Sequence, residues 1–241
     1  MNTKIFNSIA AATTLAGVIA TAGTASAASI TQTATFTAYT GAGNFQVTDF
    51  DETLSIKKFS PALGKLHKVT VDFFGEIKGD GGFENRSNRP ATINVILSGY
   101  LSLTQPELPP QPLLDLTPKT VRTYTVARYD GTTDFAGASG RTFAGLSASQ
   151  SGSKTFTDLA SLAVFTGTGN LDFFFSAIAT SNVDGPGSIS SEINTLARGS
   201  VKVTYKYKTV PEPSVVIGMG VFAGLGMLSN RKKQLLKSAK S

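Results

Sequence analysis

The sequence contains no cysteine, no tryptophan and a single histidine among its 241 residues. The lack of cysteine excludes a disulfide framework, a thiolate zinc site, an iron–sulfur cluster and a cysteine nucleophile. A Ser-His-Asp hydrolase would have to use His67, which lies at the start of a predicted strand, and no Gly-x-Ser-x-Gly motif accompanies it. We therefore expect His67 to be an exposed strand residue, and the chain not to be an enzyme.

Charged residues are scarce as well, at 16% of the chain, whereas hydrophobic residues make up 41%. With 24 glycines, this composition is typical of a Thr/Ser/Gly-rich β protein. Most of the formal net charge of +6 comes from Lys4 and from five basic residues among the last eleven, because residues 28–210 hold 16 basic and 15 acidic side chains. The body lacks the basic stripe of a phosphate-binding protein, so we predict no nucleic-acid partner.

The N-terminus has the three parts of a secretory signal peptide. Lys4 is followed by the apolar, Ala-rich run Ile5–Ala22, and the small residues Ala25 and Ala27 occupy the −3 and −1 positions of a cleavage site. We predict that residues 1–27 are a leader and that signal peptidase cleaves after Ala27. The alternative is a retained N-terminal anchor.

The C-terminus, residues 209–241, also has three parts. Pro211-Glu212-Pro213 precedes the uncharged run Val215–Leu228, and the basic cluster Arg231-Lys232-Lys233 follows it. The apolar run is 14 residues long, shorter than the roughly 20 that cross a bilayer comfortably. The prolines favour an extended, accessible backbone before it. By the positive-inside rule, the basic cluster stays cytoplasmic and the body lies outside.

This tail resembles the PEP-CTERM sorting signal of bacterial surface proteins. The resemblance implies recognition by an exosortase, which is an integral-membrane cysteine protease, and processing near Pro211-Glu212-Pro213. It also implies a role in the exopolysaccharide layer. The residues that follow the basic cluster, Gln234–Ser241, extend further than is usual for such a signal.

The body, residues 28–208, reads as an all-β domain. Period-two alternation puts apolar side chains on one face of a strand and polar ones on the other. Strands separated by Gly, Asn and Asp turns predict an antiparallel β-sandwich, jelly-roll-like. One short helical turn is expected near Asp158–Phe165, and residues 106–118, with five of the ten prolines, cannot form a central strand. The predicted strands are Ser29–Thr40, Leu66–Lys78, Thr92–Leu103, Val121–Tyr129, Leu171–Thr180 and Ser200–Tyr207.

Several segments of the body resemble the choice-of-anchor E domain, and the resemblance covers most of residues 30–208. It implies a β domain found on bacterial surface proteins and joined to differing C-terminal anchors. It implies no catalytic residues and no ligand. The matching segments are residues 59–66 with 69–71, Glu84-Asn85, residues 129–137, residues 165–169 and residues 199–207.

Calcium is the metal that the sequence favours, because oxygen ligands on turns suit it and extracellular modules often bind it weakly. The carboxylates do not have the spacing of an EF-hand loop, and Asp-Gly also occurs in ordinary turns. A pair of carboxylates for glycoside hydrolysis is a further alternative, but the acids are scattered along the chain. The candidate calcium ligands are Asp49, Asp51, Asp80, Asp130 and Asp134.

Together these patterns predict an exported, non-enzymatic protein of the cell surface or extracellular matrix, anchored transiently or permanently by its C-terminal helix. Its expected partners are signal peptidase, an exosortase-type protease and exopolysaccharide. The alternative is a carbohydrate-binding module, calcium-dependent or not, with exposed aromatic side chains as platforms. The candidate platforms are Tyr39, Tyr100, Tyr124 and Tyr129.

Overall fold

A computed structural model describes residues 27–35 and 44–209 of the chain. Strands make up 67% and helices 5% of this part, so the predicted all-β class is confirmed. Within the described ranges no helix is long and apolar enough to span a membrane. The strands are β1 (Ala27–Thr35), β2 (Gln46–Val47), β3 (Phe50–Lys57), β4 (Gly64–Asn85), β5 (Ala91–Thr104), β6 (Leu114–Leu116), β7 (Lys119–Val126), β8 (Gly140–Phe156), β9 (Asn170–Ala179), β10 (Asn182–Asp184) and β11 (Ile189–Thr209).

The first sheet has the strand order β1-β11-β4-β8, and the short β2 also pairs with β11. All of its pairings are antiparallel. The long strands β4 and β11 form its centre and stay in register from Asn85 opposite Ile189 to Gly64 opposite Thr209, with one irregularity near Lys206. This long, continuous pairing gives the first sheet an extended outer face.

The second sheet is built around β5, with the order β3-β9-β5 on one side. β9 and β10 pair with successive parts of one edge of β5, whereas β7 and β6 pair with its other edge. Every one of these pairs is antiparallel as well.

The two sheets enclose one hydrophobic core, to which both contribute alternate residues. In β4, Val71, Phe73, Gly75 and Ile77 are buried, whereas the residues that alternate with them are half-buried or exposed. A Cβ atom built on Gly75 would overlap the end of the Leu101 side chain on β5. The absence of a side chain at Gly75 thus lets the β4 backbone approach the second sheet closely.

The structure confirms the central part of each predicted strand, with exceptions at the ends. Residues 36–40 of the first predicted strand lie outside the described part of the chain. The predicted helical turn is α1 (Leu159–Val164), which Asp158 caps by accepting a hydrogen bond from the Ser161 backbone N–H at 2.8 Å. Two long strands, β3 and β8, were not predicted, and β4 and β11 extend well beyond the predicted bounds.

Residues 106–118 were predicted not to form a central strand because of their prolines. In the structure this segment is a loop except for the three-residue strand β6. His67 is exposed in β4, as expected. The predicted domain bounds of 28 and 208 differ by one residue from the strand ends, since Ala27 begins β1 and Thr209 ends β11. The rest of the predicted leader and sorting tail lies outside the described residues.

Candidate functional site: a polar groove around Phe74

The outer face of the first sheet consists of cross-strand rows, in which residues of adjacent strands lie directly opposite one another. Thr33 of β1 lies opposite Lys202 of β11. Lys202 lies opposite Asp72 of β4, and Asp72 lies opposite Ser153 of β8. One row thus crosses all four strands, a distance of about 14 Å from first to last. The next row along holds Ser200, Phe74 and Ser151.

These two rows line an open groove of about 500 Å³, which we call the Phe74 groove. Asp72 organises its floor, because its Oδ1 accepts a hydrogen bond from the Ser153 hydroxyl at 2.7 Å and its Oδ2 lies 3.3 Å from Lys202 Nζ. Both partners of this ion pair are partly exposed, so it orders the side chains more than it stabilises the fold. The outward-facing residues of the groove are Thr33, Asp72, Phe74, Ser151, Ser153, Ser200 and Lys202.

Phe74 is the exposed aromatic residue of this groove, at 38% exposure. It also borders a second, smaller hollow of about 120 Å³, whose lining includes Asn44 and Arg198. Two contacts hold Arg198 in place there. Its Nε and Nη2 both donate to Glu76 Oε2, at 2.9 and 2.5 Å. Its guanidinium also lies 4.6 Å from the centroid of the Phe45 ring. An apolar ring thus stands between two hollows on the same face.

Next to the row of Lys202 and Asp72, the outer face of the first sheet carries a row of hydroxyl groups. A row of four threonines crosses the sheet, and the Oγ1 atoms of Thr70 and Thr155 lie 3.2 Å apart. The other two members are Thr31 and Thr204, whose Oγ1 atoms lie 3.4 Å apart. Beyond this row come two directly opposed lysine pairs, Lys68 with Lys206 and Lys65 with Lys208.

This face combines hydrogen-bonding side chains with one exposed apolar ring. Hydroxyls both donate and accept hydrogen bonds, and lysine and arginine donate them. Phe74 adds an apolar surface on which the C–H face of a sugar ring can pack. The two carboxylates that flank Phe74 along β4, Asp72 and Glu76, are each engaged by a cationic side chain. They therefore position the cations of the face.

The five predicted calcium ligands are spread over the strands β3 and β4 and over two loops. Asp80 Oδ1 accepts a hydrogen bond from the Gly145 N–H at 2.7 Å, and Asp49 Oδ1 accepts one from the Ala179 N–H at 3.4 Å. Only Asp130 and Asp134 share a loop, that between β7 and β8. The N–H of Thr132 and then the hydroxyl of Ser139 lower the pKa of Asp130. In the described ranges no group of three or more histidine, aspartate or glutamate residues is arranged to hold a metal ion. Asp51 lies exposed on β3.

The predicted aromatic platforms lie elsewhere. Tyr124 packs against the core ring of Phe83, with the ring centroids 5.4 Å apart. Tyr129 forms a hydrogen bond with Thr133 within a loop. Tyr100 is half-buried in β5 of the second sheet, where burial and then the charge of Asp115 raise its pKa. Tyr39 lies outside the described residues.

Sequence reasoning missed Phe74, although a signal for it was present. Phe73 and Phe74 are adjacent in a strand, and alternation sends one of two neighbouring side chains outward. Phe174 is the corresponding outward residue of the run Phe173–Phe175 in β9, on the second sheet, and it is 46% exposed. Two exposed phenylalanines thus lie on opposite faces of the domain, and only Phe74 lines the groove.

The sorting motif Pro211-Glu212-Pro213, the basic cluster Arg231-Lys232-Lys233 and the cleavage-site residue Ala25 all lie outside the described residues. Ala27 is the first residue of β1 and pairs with Lys208. Cleavage after Ala27 would leave eight of the nine residues of β1 on the mature chain. No family model, no curated protein and no solved structure matches this chain.

Proposed function

We propose that this chain is an exported bacterial surface or matrix protein, non-enzymatic, whose β domain binds polysaccharide through the Phe74 groove. The groove carries the proposal, because it combines an exposed aromatic ring with hydroxyl, carboxylate and ammonium groups on one open face. A groove that is open along the sheet suits a polymer, which must enter from the side and leave at both ends. A closed pocket would suit a small molecule instead.

We further propose that the domain is a jelly roll. The strand order β1-β11-β4-β8 faces the order β3-β9-β5-β7, which is the order expected when eight strands are wound as two Greek keys. Lectin domains are among the proteins that use this architecture. The topology supports a binding role only by analogy, so the groove residues remain the main argument.

The ligand that fits this face best is an acidic polysaccharide. Lys65, Lys68, Lys206 and Lys208 form two like-charge pairs beyond the threonine row, on the same outer face. Directly opposed like charges destabilise a sheet, and a polyanion lying across them would relieve that repulsion. A neutral polysaccharide would gain the contacts with Phe74 but not this electrostatic attraction.

Matched substitutions of the two exposed phenylalanines test the binding site. Phe74→Ala should reduce binding to alginate or polygalacturonate at least tenfold, measured by affinity electrophoresis or calorimetry, because it removes the apolar platform. Phe174→Ala removes a similarly exposed ring from the opposite sheet and should leave binding unchanged. Binding that is lost equally in both variants, or in neither, would contradict the groove as the binding site.

The export and sorting part of the proposal needs a separate test. It rests on the leader, residues 1–27, and on the resemblance of residues 209–241 to a PEP-CTERM signal. The intact mass of protein recovered from the outer fraction and the medium of the native host should correspond to residues 28 to about 213, with or without added glycan. A mass that corresponds to a chain ending at Ser241 would show that the tail is retained. A mass that corresponds to a chain beginning at Met1 would contradict cleavage by signal peptidase.

A further inference from the structure

Both ends of the β domain lie beside one another, at the same end of the sandwich. Ala27, the first residue of β1, lies opposite Lys208 near the end of β11. Thr209, the last residue of β11, lies opposite Gly64, with which β4 begins. The predicted leader therefore joins the domain next to the residue from which the predicted sorting tail continues.

Two short connections pack together at this end. β8 ends at Phe156, opposite the first part of β4, and α1 follows. The 3₁₀ turn Pro61–Leu63 directly precedes β4. The two connections are joined by backbone hydrogen bonds, since the Phe59 N–H donates to the Phe165 carbonyl at 2.8 Å and the Gly167 N–H donates to the Phe59 carbonyl at 2.9 Å. We call the end of the sandwich formed by residues 57–68, 156–169 and 206–209 the terminal end.

The terminal end exposes apolar side chains on both connections. Leu159, the first residue of α1, is 81% exposed, more than any other large hydrophobic side chain of the described residues. Leu63, the last residue of the 3₁₀ turn, is 43% exposed. Pro61, Ala62 and Ala160 beside them are exposed as well. Apolar residues grouped in this way at one end of a domain indicate a contact surface, whereas single scattered ones do not.

Lysines of both sheets lie at the terminal end. β3 of the second sheet ends at Lys57, and Lys65 of the first sheet lies opposite Lys208. The residues that form this end include six lysines and one acidic residue, Asp158, which accepts a hydrogen bond from the Ser161 N–H. The terminal end therefore carries a net positive charge, which attracts an anionic surface. The six lysines are Lys57, Lys58, Lys65, Lys68, Lys206 and Lys208.

We propose that the terminal end of the domain docks on the surface of a membrane that contains anionic phospholipids. This inference rests on the proposed export of the chain and on its C-terminal anchor. The uncharged run Val215–Leu228 begins six residues after Thr209, and six residues span at most about 20 Å even when fully extended. Insertion of this run therefore holds the terminal end close to the lipid. The lysines then meet the headgroup phosphates, while Leu63 and Leu159 enter the interfacial region.

The docked orientation leaves the Phe74 groove accessible. β11 runs away from the terminal end, and Ser200, which lines the groove, lies nine residues before Thr209. Nine strand residues span roughly 30 Å, so the groove lies well away from the lipid surface. Lys57 and Lys58 lie at the end of the second sheet and not on the outer face of the first. Their substitution therefore separates membrane contact from polysaccharide binding.

A fluorescent label on the terminal end of the full chain tests the proposal in vesicles of phosphatidylcholine with and without phosphatidylglycerol. Because the chain has no cysteine, Leu159→Cys provides a single attachment site for an environment-sensitive fluorophore. Spin-labelled lipid should quench this label roughly threefold more strongly when phosphatidylglycerol is present. Val121→Cys is the control, since Val121 is 50% exposed and lies opposite Ile96 in the part of the second sheet remote from the terminal end. Its label should escape quenching in both kinds of vesicle.

Reversal of two charges tests the role of the lysines. Lys57→Glu combined with Lys58→Glu should reduce quenching of the Leu159 label to the level found without phosphatidylglycerol. Arg86→Glu combined with Arg89→Glu makes the same change of charge on exposed residues beyond the other end of β4, and it should leave the quenching intact. Binding to alginate should be the same in the two double variants, because neither pair lines the Phe74 groove.

Three outcomes would overturn the proposal: equal quenching of the Leu159 and Val121 labels, quenching of the Leu159 label that does not depend on phosphatidylglycerol, and quenching that survives the change of Lys57 and Lys58. Failure of the C-terminal anchor gives a different result, because high salt would then wash the chain from vesicles of phosphatidylcholine alone. In that case the Leu159 label still reports contact with vesicles that contain phosphatidylglycerol. The absence of that contact would contradict docking whether or not the anchor inserts.

Discussion

The hydroxyl of Tyr205 on β11 donates a hydrogen bond to the carbonyl oxygen of Lys57 on β3, with an oxygen–oxygen distance of 3.0 Å. β11 belongs to the first sheet and β3 to the second, so this bond ties the two sheets together. Tyr205 is completely buried, and its ring lies 5.9 Å from that of Phe59. Burial raises the pKa of the Tyr205 hydroxyl, which favours the protonated form that donates this bond.

Tyr205→Phe should lower the free energy of unfolding by about 1–2 kcal/mol at pH 7, because it deletes this hydrogen bond while keeping the ring. The hydroxyl ionises near pH 10 in the unfolded chain and at higher pH in the folded one. Its contribution is therefore full below pH 10 and is lost as the pH rises further. Urea denaturation should show the difference between the two proteins shrinking above pH 10. A constant difference from pH 7 to 11 would contradict this.

Gly81→Ala should destabilise the protein by about 3 kcal/mol, because a Cβ atom there would overlap the Glu192 backbone carbonyl on the neighbouring strand. Gly152→Ala is the matched control, since its Cβ would meet the ends of the Leu116 and Leu114 side chains at 3.3 and 3.4 Å. Flexible side chains yield more easily than backbone, so we expect a change of about 1 kcal/mol or less. Similar denaturation midpoints for the two variants would argue against the close approach at Gly81.

Lys206→Glu should affect stability and ligand binding in opposite directions. Lys206 lies opposite Lys68, and the change turns this like-charge pair into a pair of opposite charges. The free energy of unfolding should therefore rise by about 0.3 kcal/mol. It should weaken binding to acidic polysaccharide, most strongly at low salt. Lys119→Glu, on the second sheet, is the control and should leave binding unchanged. Equal losses of binding in the two variants would mean that only the net charge matters.

Asn85→Ala should cost about 3 kcal/mol and loosen the loop of residues 127–139 between β7 and β8. The change removes the Nδ2 donor that the carbonyl oxygens of Arg89 and Ala127 share, together with the Oδ1 acceptor of the Ser87 N–H. Hydrogen exchange in residues 127–139 should accelerate more than exchange in the centre of β11. Asn94→Ala, which removes only one exposed bond with Thr123, should change exchange in this loop little. Uniform acceleration across the domain would show global destabilisation instead.

The all-β class could be predicted from the alternation of apolar and polar side chains. The two strands that were not predicted, β3 and β8, were missed for physical reasons. β8 was not predicted because its 17 residues are rich in Gly, Ser, Thr and Ala, and only a few are buried apolar residues. Such a strand lies at the edge of a sheet and is recognisable only from its pairing with β4. β3 was overlooked because its alternation is carried by Leu54 and Ile56, flanked by acidic and polar residues.

For the candidate site, sequence reasoning supplied residue types but not their neighbours. The aromatic platforms were sought among tyrosines, and Tyr124 turned out to pack against the core. Phe74 could have been found from its position beside Phe73, because one of two adjacent strand residues faces outward. That Phe74 stands beside Asp72, Lys202 and Ser153 depends on registers between strands that are up to about 130 residues apart in sequence.

By itself, the sequence determined the all-β class, the short helical turn near Asp158–Phe165 and the loop character of the proline-rich segment. These features depend on local properties: side-chain period, backbone restriction and capping. Only the tertiary structure decided which rows meet on the outer face and that Glu84 is buried without a hydrogen-bond partner among the described residues. Pairing register and burial depend on contacts between distant parts of the chain, and a local pattern does not encode them.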